Sequence, residues 1–593
     1  VVTAPVTTLL RVPYTPCYDA RMREASVDHQ FSIPNPKLWS PDSPSLYTAV
    51  TEVKVAGKVV DRYETVFGLR SFRWDSATGF YLNDKPLKIK GVCLHHDLGC
   101  LGAAVNTRAI ERQLQIMKEM GVNAIRTSHN APAPELLDLC DRMGLLVQDE
   151  SFDMWERRKS PYDYARYFAE WHERDLTDEI LRDRNHASVF MWSIGNEVLE
   201  QWSHADATEL DLQAANLILN AGHAIDPALL KDTTLSRQSL ITRHLAAIVK
   251  RLDTSRVVTA GCNEVNPANH LFRSDALDVL GFNYHERYFE PFLRNFPGKK
   301  LIVSESTSAL MTRGYYEMPS DHIYIRPESW DKPFEAPEHV CSSYDNCHVP
   351  WGSTHEKTWH LVKTLPHVSG LFVWTGFDYL GEPTPYWWPS RSSFFGIVDL
   401  AGFPYKSEWT DEPVLHIFPH WNWKEGEPVD IWAYYNNADE VELYLNGKSL
   451  GVRQKTDSTY HVSWRMPFTP GTLRAVSRLG GKEVLVKEIH TAGEPARLVL
   501  TPDRSVIQAD GSDLSFVTVD VCDIDGNRVP DATPLIRFFV EGPGEIAGTD
   551  NGDPNDPNSL RKPKRQAYYG KAMAVIRNKG GQGEIHVKAI AEG

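Results

Sequence analysis

The chain has 593 residues, several times the roughly 150 that one domain usually takes, so about four domains are expected. Its 63 Lys and Arg against 78 Asp and Glu leave a net charge of −15, which argues against a nucleic-acid partner. A hydrophobic share of 42 % with 24 % charged residues excludes a disordered or collagen-like chain, and no run of eighteen apolar residues predicts a membrane span. The 17 Trp and 22 His are rich for this length and are compatible with a neutral polar ligand, carbohydrate being one candidate.

Eight cysteines stand at 17, 93, 100, 140, 262, 341, 347 and 522, with no CxxC pair to suggest a zinc ribbon or a redox motif. Cys93, Cys140 and Cys262 lie in apolar stretches and read as buried thiols. Cys341 and Cys347 are close enough to pair across a loop, and the spacing leaves that choice open. The opening VVTAPVTTLL has neither Met nor a basic segment before an apolar core, so no signal peptide is read there. Either the chain is processed or it starts partway into a longer protein, the second being preferred.

Three textures follow one another. Residues 1–75 alternate like strands (LYTAVTEVKVAG, KVVDRYETVFGLRSF) between Pro-rich turns and predict a partial immunoglobulin-like β-sandwich. Residues 76–410 change to short apolar runs alternating with helical patterns. The runs are 87–97, 124–129, 145–151, 188–197, 257–261, 279–284, 301–308 and 370–378. Helices between them include TRAIERQLQIMKEMG, ended by Gly121, and PAPELLDLCDRMG, with Pro near its start and Gly after its end. Eight strand–helix alternations predict a (β/α)8 TIM barrel; a doubly wound sheet is the alternative, but no GxGxxG follows a first strand. Beyond residue 410 strand alternation returns, with turn signals at Asn446-Gly447, Asp510-Gly511 and Asp525-Gly526. Two further immunoglobulin-like sandwiches are expected, over 411–493 and 494–593, with an exposed loop at 551–564.

A barrel gathers its chemistry at the C-terminal ends of its strands. The run endings here are His95-His96-Asp97, Arg126 to His129, Asp149-Glu150, Asn196-Glu197, Asn283-Tyr284-His285, Glu305 and Trp374. Glu197 ends the fourth run and Glu305 the seventh, which places both carboxylates across one barrel mouth. Two carboxylates flanking one bond are the minimum equipment for glycoside hydrolysis: one protonates the leaving oxygen, the other stays ionised. Arg126 is available to keep Glu305 ionised, whereas the largely apolar Ile194-Gly195-Asn196 before Glu197 suits a raised pKa. His95 and Asp97 share one strand face and His96 packs on the other. Asp149 and Glu150 read either as partners behind the site or as a buried pair. Of the six tryptophans between 374 and 423, Trp374 is placed in the site and Trp387 and Trp388 at the rim. Trp409, Trp421 and Trp423 are assigned to the domain junction.

At these residues the sequence resembles glycoside hydrolase family 2. Asp183-Arg184-Asn185-His186-Ala187-Ser188-Val189-Phe190-Met191-Trp192-Ser193-Ile194-Gly195-Asn196-Glu197 is similar to the family's acid/base signature over its whole length. Asn123 to His129 resembles its other signature, departing at Asn130 where Tyr is usual. The resemblance spans the first sandwich and the barrel. It implies a retaining double displacement, with Glu305 as nucleophile and Glu197 as general acid, then base. It also implies that Asn196 holds the sugar 2-hydroxyl, that Tyr284 and Arg126 orient Glu305, that Trp374 floors the site, and that His95 and His129 bind hydroxyls. Family members usually begin with a jelly-roll sugar-binding domain, so the resemblance implies that this chain lacks one.

The sugar is read from what is missing. The β-glucuronidases of the family carry Asn-x-Lys after the eighth strand; Ser393 and Phe395 stand there in this sequence. Asn422-Trp423-Lys424 and Asn446-Gly447-Lys448 fall outside the barrel. A neutral hexose is therefore preferred, and FFGIVDLAGFP resembles the β-galactosidase branch, giving a terminal β-galactoside or oligosaccharide as the expected substrate. Arg391 suits an anionic group beyond the cleaved sugar. The magnesium-dependent branch has Glu-x-His after the third strand; Met154 and Glu156 stand there, so neither metal nor other cofactor is expected. The alternatives are a β-glucuronidase or β-mannosidase, or a non-catalytic carbohydrate-binding protein on the same barrel. A homo-oligomer stays open, and a periplasmic or secreted bacterial location is favoured over a cytoplasmic one.

Overall fold

The computed structural model describes residues 3, 5–9, 26–204, 235–329, 332–337, 340–380, 396–397 and 402–592. Its centre is a closed barrel of parallel strands, paired in chain order around the ring and from the last back to the first. The strands are β1 (Ile89–Leu94), β2 (Ala124–Thr127), β3 (Leu146–Glu150) and β4 (Val189–Asn196). The ring continues with β5 (Val257–Cys262), β6 (Leu280–Asn283), β7 (Leu301–Thr307) and β8 (Val368–Trp374). Each overlaps one of the predicted apolar runs, with ends that agree to within four residues. The barrel expectation holds, and the doubly wound alternative falls because the sheet closes.

Both faces of the strands are buried, which is why they read as continuous apolar runs. Alternation sends Ile89, Ala124, Leu146, Met191 and Ile302 into the barrel and Val92, Ile125, Val147, Trp192 and Val303 under the helices. The helices are α1 (Thr107–Glu119), α2 (Pro134–Met143), α3 (Ala165–Asp183), α4 (Arg237–Leu252), the short α5 (His270–Arg273) and α6 (Phe292–Asn295), α7 (His355–Thr364) and α8 (Gly402–Trp409). Local chemistry sets their ends. The Asn106 side chain caps α1 by accepting from the Ala109 N–H. Gly144 ends α2 at φ +73°, and a Cβ there would meet the Pro41 carbonyl oxygen at 2.4 Å.

A three-stranded sheet (Phe72–Asp75, Gly79–Leu82, Lys85–Pro86) closes the N-terminal end of the barrel. Trp74 stacks on Phe190 with ring centroids 5.9 Å apart, and Phe80 meets the same ring edge-on at 5.4 Å. A separate hairpin joins Tyr47–Val55 to Lys58–Phe67. After α8, a three-stranded and a four-stranded sheet enclose Val429, Ile431, Val441, Leu443 and Leu473. Two more sheets follow from Arg497 onward, around Val519, Ile536, Phe538 and Ala574. The Asn446-Gly447 turn has φ of +51° and +80°, the pairing that a tight hairpin demands.

The predicted roles of three tryptophans divide. Trp409 packs on Trp359 among the barrel helices, and Trp423 stacks on His420 facing Tyr316. Trp421 is instead in the core of the sandwich that follows, against Phe468. The described cysteines are all buried and unbridged, Cys341 and Cys347 included. No helix among the described residues is long and apolar enough to cross a membrane.

Candidate active site

The strand ends meet around one guanidinium. Arg126, on β2 and fully buried, donates Nε and Nη2 to the two oxygens of Glu150 at 3.0 Å each. Its Nη1 donates to Oε2 of Glu305 at 2.7 Å and to the Ser304 carbonyl at 2.9 Å. Nη2 also donates to Oδ1 of Asn196 at 2.7 Å. One cation thus ties β2, β3, β4 and β7 together. Burial opposes both charges of the Arg126–Glu150 pair, but the guanidinium offsets it and holds Glu150 below the usual carboxylate range.

Glu305 is gripped at both oxygens. The Tyr284 hydroxyl donates to Oε1 at 2.6 Å and itself accepts from Ser308 at 2.8 Å. Burial and the charge of Glu305 push the Tyr284 phenol well up, so it stays protonated and donating. Glu197 has a different environment. It accepts from two neutral amides, Asn283 at 2.9 Å and Asn263 at 3.2 Å, and from no cation within hydrogen-bond distance among the described residues. Burial lifts its carboxyl to about 7, and the nearby charge of Glu305 adds to the lift. Burial and neutral partners thus favour the protonated acid at Glu197, whereas Glu305 in the same cleft is gripped by a cation.

Strict alternation would not bring these groups together. In β7, Ser304 bonds Asn283 and its neighbour Glu305 bonds Arg126, though adjacent strand residues normally face opposite ways. The register between β7 and β8 shifts between Val303 and Ser306, and that between β4 and β5 between Ser193 and Asn196. These irregularities turn Asn196 and Glu305 inward. Glu197 then leaves the strand at φ +41°. In β3, by contrast, alternation holds. Glu150 points into the barrel, while Asp149 points outward to Glu179 and Asp183 of α3, so the two are not a pair.

Aromatic rings line the neighbouring sector. His129 lies flat on Trp374 with centroids 5.3 Å apart and planes 2° apart, and gives Nδ1 to Glu150 at 2.9 Å. Its Nε2 is 4.0 Å from Glu305. His95 meets Trp374 edge-on at 5.1 Å and Tyr379 at 4.3 Å. Burial and the neighbouring His129 lower His95 to about 3, so it is neutral.

The structure thus gathers Glu197, Glu305, Arg126, Asn196, Tyr284, His129, His95 and Trp374. Asp97 serves a turn instead, accepting from the Gly99 N–H at 2.7 Å and the Leu380 N–H at 3.3 Å. His96 is exposed rather than packed, because β1 ends at Leu94. Arg391, Trp387, Trp388, Ser393 and Phe395 lie outside the described residues. Sequence reasoning missed Asn263, Asn283, Asp153 and Lys159 as site members. Lys159 donates to Asp153 at 2.7 Å and to the Asn196 carbonyl at 2.8 Å, and Asn196 donates to Asp153 at 3.0 Å. Lys159 holds Asp153 at about 2 against the opposing effect of burial. Asn283 stood among the run endings and was a legible signal; Lys159 lies in a loop with none. Glu156 pairs with Arg237 at 2.7 Å, away from the site. No group of three or more His, Cys, Asp or Glu among the described residues is placed to hold a metal ion.

Residues 76–378, half of the chain, match the family described as glycosyl hydrolases family 2, TIM barrel domain. The chain belongs to glycoside hydrolase family 2. Residues 15–70 match a second domain of glycosyl hydrolases family 2, and 498–593 match glycoside hydrolase family 2 C-terminal domain 5. Between them, 426–485 match a domain of unknown function. The family 2 chain is 59 % identical over 577 residues to beta-galactosidase BoGH2A of Bacteroides ovatus, covering 96 % of this chain and 68 % of that one. It is 33 % identical to a putative beta-glucuronidase of Formosa agariphila, of which it spans 52 %. Its fold superposes on a beta-glycosidase from Bacteroides vulgatus with a TM-score of 0.81 at 32 % identity, over 94 % of this chain and 70 % of that chain. This family 2 member is a glycoside hydrolase.

Proposed function

We propose that this enzyme removes terminal β-D-galactose by double displacement, with Glu305 as nucleophile and Glu197 as acid and base. The observation that carries the reading is the contrast between the two carboxyls: Glu305 is held by Arg126 at 2.7 Å and Tyr284 at 2.6 Å, while Glu197, among the described residues, is held by neutral amides. Glu197 gives its proton to the glycosidic oxygen as that bond breaks, and a Glu305 oxygen bonds the anomeric carbon. Glu197, now ionised, takes a proton from water, whose oxygen attacks the same carbon and releases Glu305. As negative charge leaves Glu305 in the first step, Glu197 gains its own, so the cleft never carries both in full. Asn196 is fixed through Oδ1 by Arg126 and through Nδ2 by Asp153, leaving one amide hydrogen for a sugar hydroxyl.

A neutral sugar is supported by the cations. Among the described residues, Arg126 and Lys159 already neutralise Glu150, Glu305 and Asp153, so their charge is spent before a substrate carboxylate arrives. The name of the Bacteroides ovatus relative points to the same sugar. The name of the 33 % relative keeps β-glucuronide as the second reading. Nitrophenyl β-galactoside and β-glucuronide, compared side by side, separate the two. Proton NMR of the first-formed sugar should show the β anomer; an α anomer would overturn the double displacement. Glu305→Gln should lose at least about 10³-fold in kcat, as removal of a covalent nucleophile does.

A further inference from the structure

A cavity of about 710 Å³ lies on the flank of the barrel where α7 meets the sandwich that follows α8, and it shares no residue with the carboxylate site. Its size falls within the range of small-ligand pockets, and junctions between domains are where such pockets concentrate. The imidazole of His461 lies flat on the buried Trp432, with centroids 3.6 Å apart and planes 4° apart. Glu356, on α7, takes His461 Nδ1 at 2.6 Å, and Trp432 Nε1 donates to Ser320 at 2.8 Å. The stack is therefore held by both domains, and both of its rings line the cavity.

Charges of both signs stand around that stack. Arg465 donates Nε and Nη2 to Asp430 at 2.6 and 2.9 Å, and Nη2 also to Asp321 at 3.0 Å. That leaves its Nη1 without a partner among the described residues. Lys357 and Arg453 also line the cavity, so with Arg465 three cations share its wall with the carboxyls of Asp321, Glu356 and Asp430. A fourth carboxyl, Asp345, is lifted to about 7 by burial and by the neighbouring Glu356. The Ser458 and Ser463 hydroxyls add small neutral donors. A flat ring offers a surface for apolar C–H faces, and the fixed guanidinium and carboxylate edges offer paired donors and acceptors. With cations and carboxyls both present, the wall has no strong preference for a cation or an anion.

We propose that this cavity is a second, non-catalytic binding site for a neutral saccharide, whose ring lies on His461 between Arg465 and Lys357. The test is calorimetric titration of the full chain with β-1,4-galactotriose and with cellotetraose, beside trigalacturonate as an acidic probe. Ser463→Trp fills the cavity from an exposed strand position, and His461→Ala removes the surface. A neutral oligosaccharide should bind, and both variants should weaken it by about tenfold or more while aryl glycoside turnover stays within about twofold. If His461→Ala unfolds, Ser463→Trp decides alone. Unchanged binding in a folded Ser463→Trp chain, a preference for trigalacturonate, or no binding at about 10 mM would each overturn the proposal. Loss of turnover on galactosides in the unmodified chain would count against the catalytic reading only.

Discussion

The Tyr284 hydroxyl donates to Oε1 of Glu305 at 2.6 Å, while Ser308 donates to the same hydroxyl at 2.8 Å. This phenol stabilises the ionised carboxylate and must release it as the covalent bond forms. Tyr284→Phe should therefore lower kcat/KM by about 10- to 100-fold, equivalent to about 1.4–2.7 kcal/mol. Unchanged kcat/KM in a folded variant would make the tyrosine structural.

Glu197 donates a proton in one step and removes one in the next. Glu197→Ala should slow substrates with poor leaving groups by about 10²–10⁴-fold and those with good leaving groups far less. Added azide should restore turnover and yield a β-glycosyl azide, since azide needs no base and attacks from the face that water uses. An α-glycosyl azide would instead assign Glu197 as the nucleophile.

The pH dependence follows from the burial of Glu197, which with the charge of Glu305 lifts its carboxyl to about 7. Below that pH the acid is protonated and competent; above it the proton is lost. The rate kcat/KM should fall about tenfold per pH unit above roughly 7. Replacing Glu305 with Gln removes one cause of the lift, so the Glu197 carboxyl, followed by infrared titration, should shift down.

A second buried carboxyl cluster predicts stability rather than rate. Burial raises Glu179 to about 7 and Asp149 well above its ordinary value, and each raises or shares a proton with the other. The folded state keeps protons that the unfolded chain releases near the ordinary carboxylate values. The stabilisation is complete below about 4.5 and is lost as pH rises through about 7. Glu179→Gln should flatten that decline and unfold at a higher temperature than the parent at pH 8, by about 2–4 °C per kcal/mol regained. Scanning calorimetry at pH 6 and pH 8 checks the sign.

Much of this enzyme is legible in its residue order. Barrel strands buried on both faces leave continuous apolar runs, and helix ends such as Asn106 and Gly144 are set by neighbours a few residues away. The run endings exposed Arg126, Asn196, Glu197, Tyr284 and Glu305, because a closed ring of strands puts every ending at one mouth. Side-chain direction at those endings was not legible. Alternation places Asp149 and Glu150 on opposite faces correctly. It fails at Asn196 and Glu305, where register shifts against neighbouring strands turn the residue inward. Those shifts depend on pairing across more than sixty residues of chain, and the meeting of Lys159 with the Asn196 carbonyl on a contact across 37. Local sequence therefore settled which chemical groups stand at the barrel mouth. Only the closure of the ring decided which of them touch, since the contacts that distinguish the amide-held Glu197 from the cation-held Glu305 come from different strands.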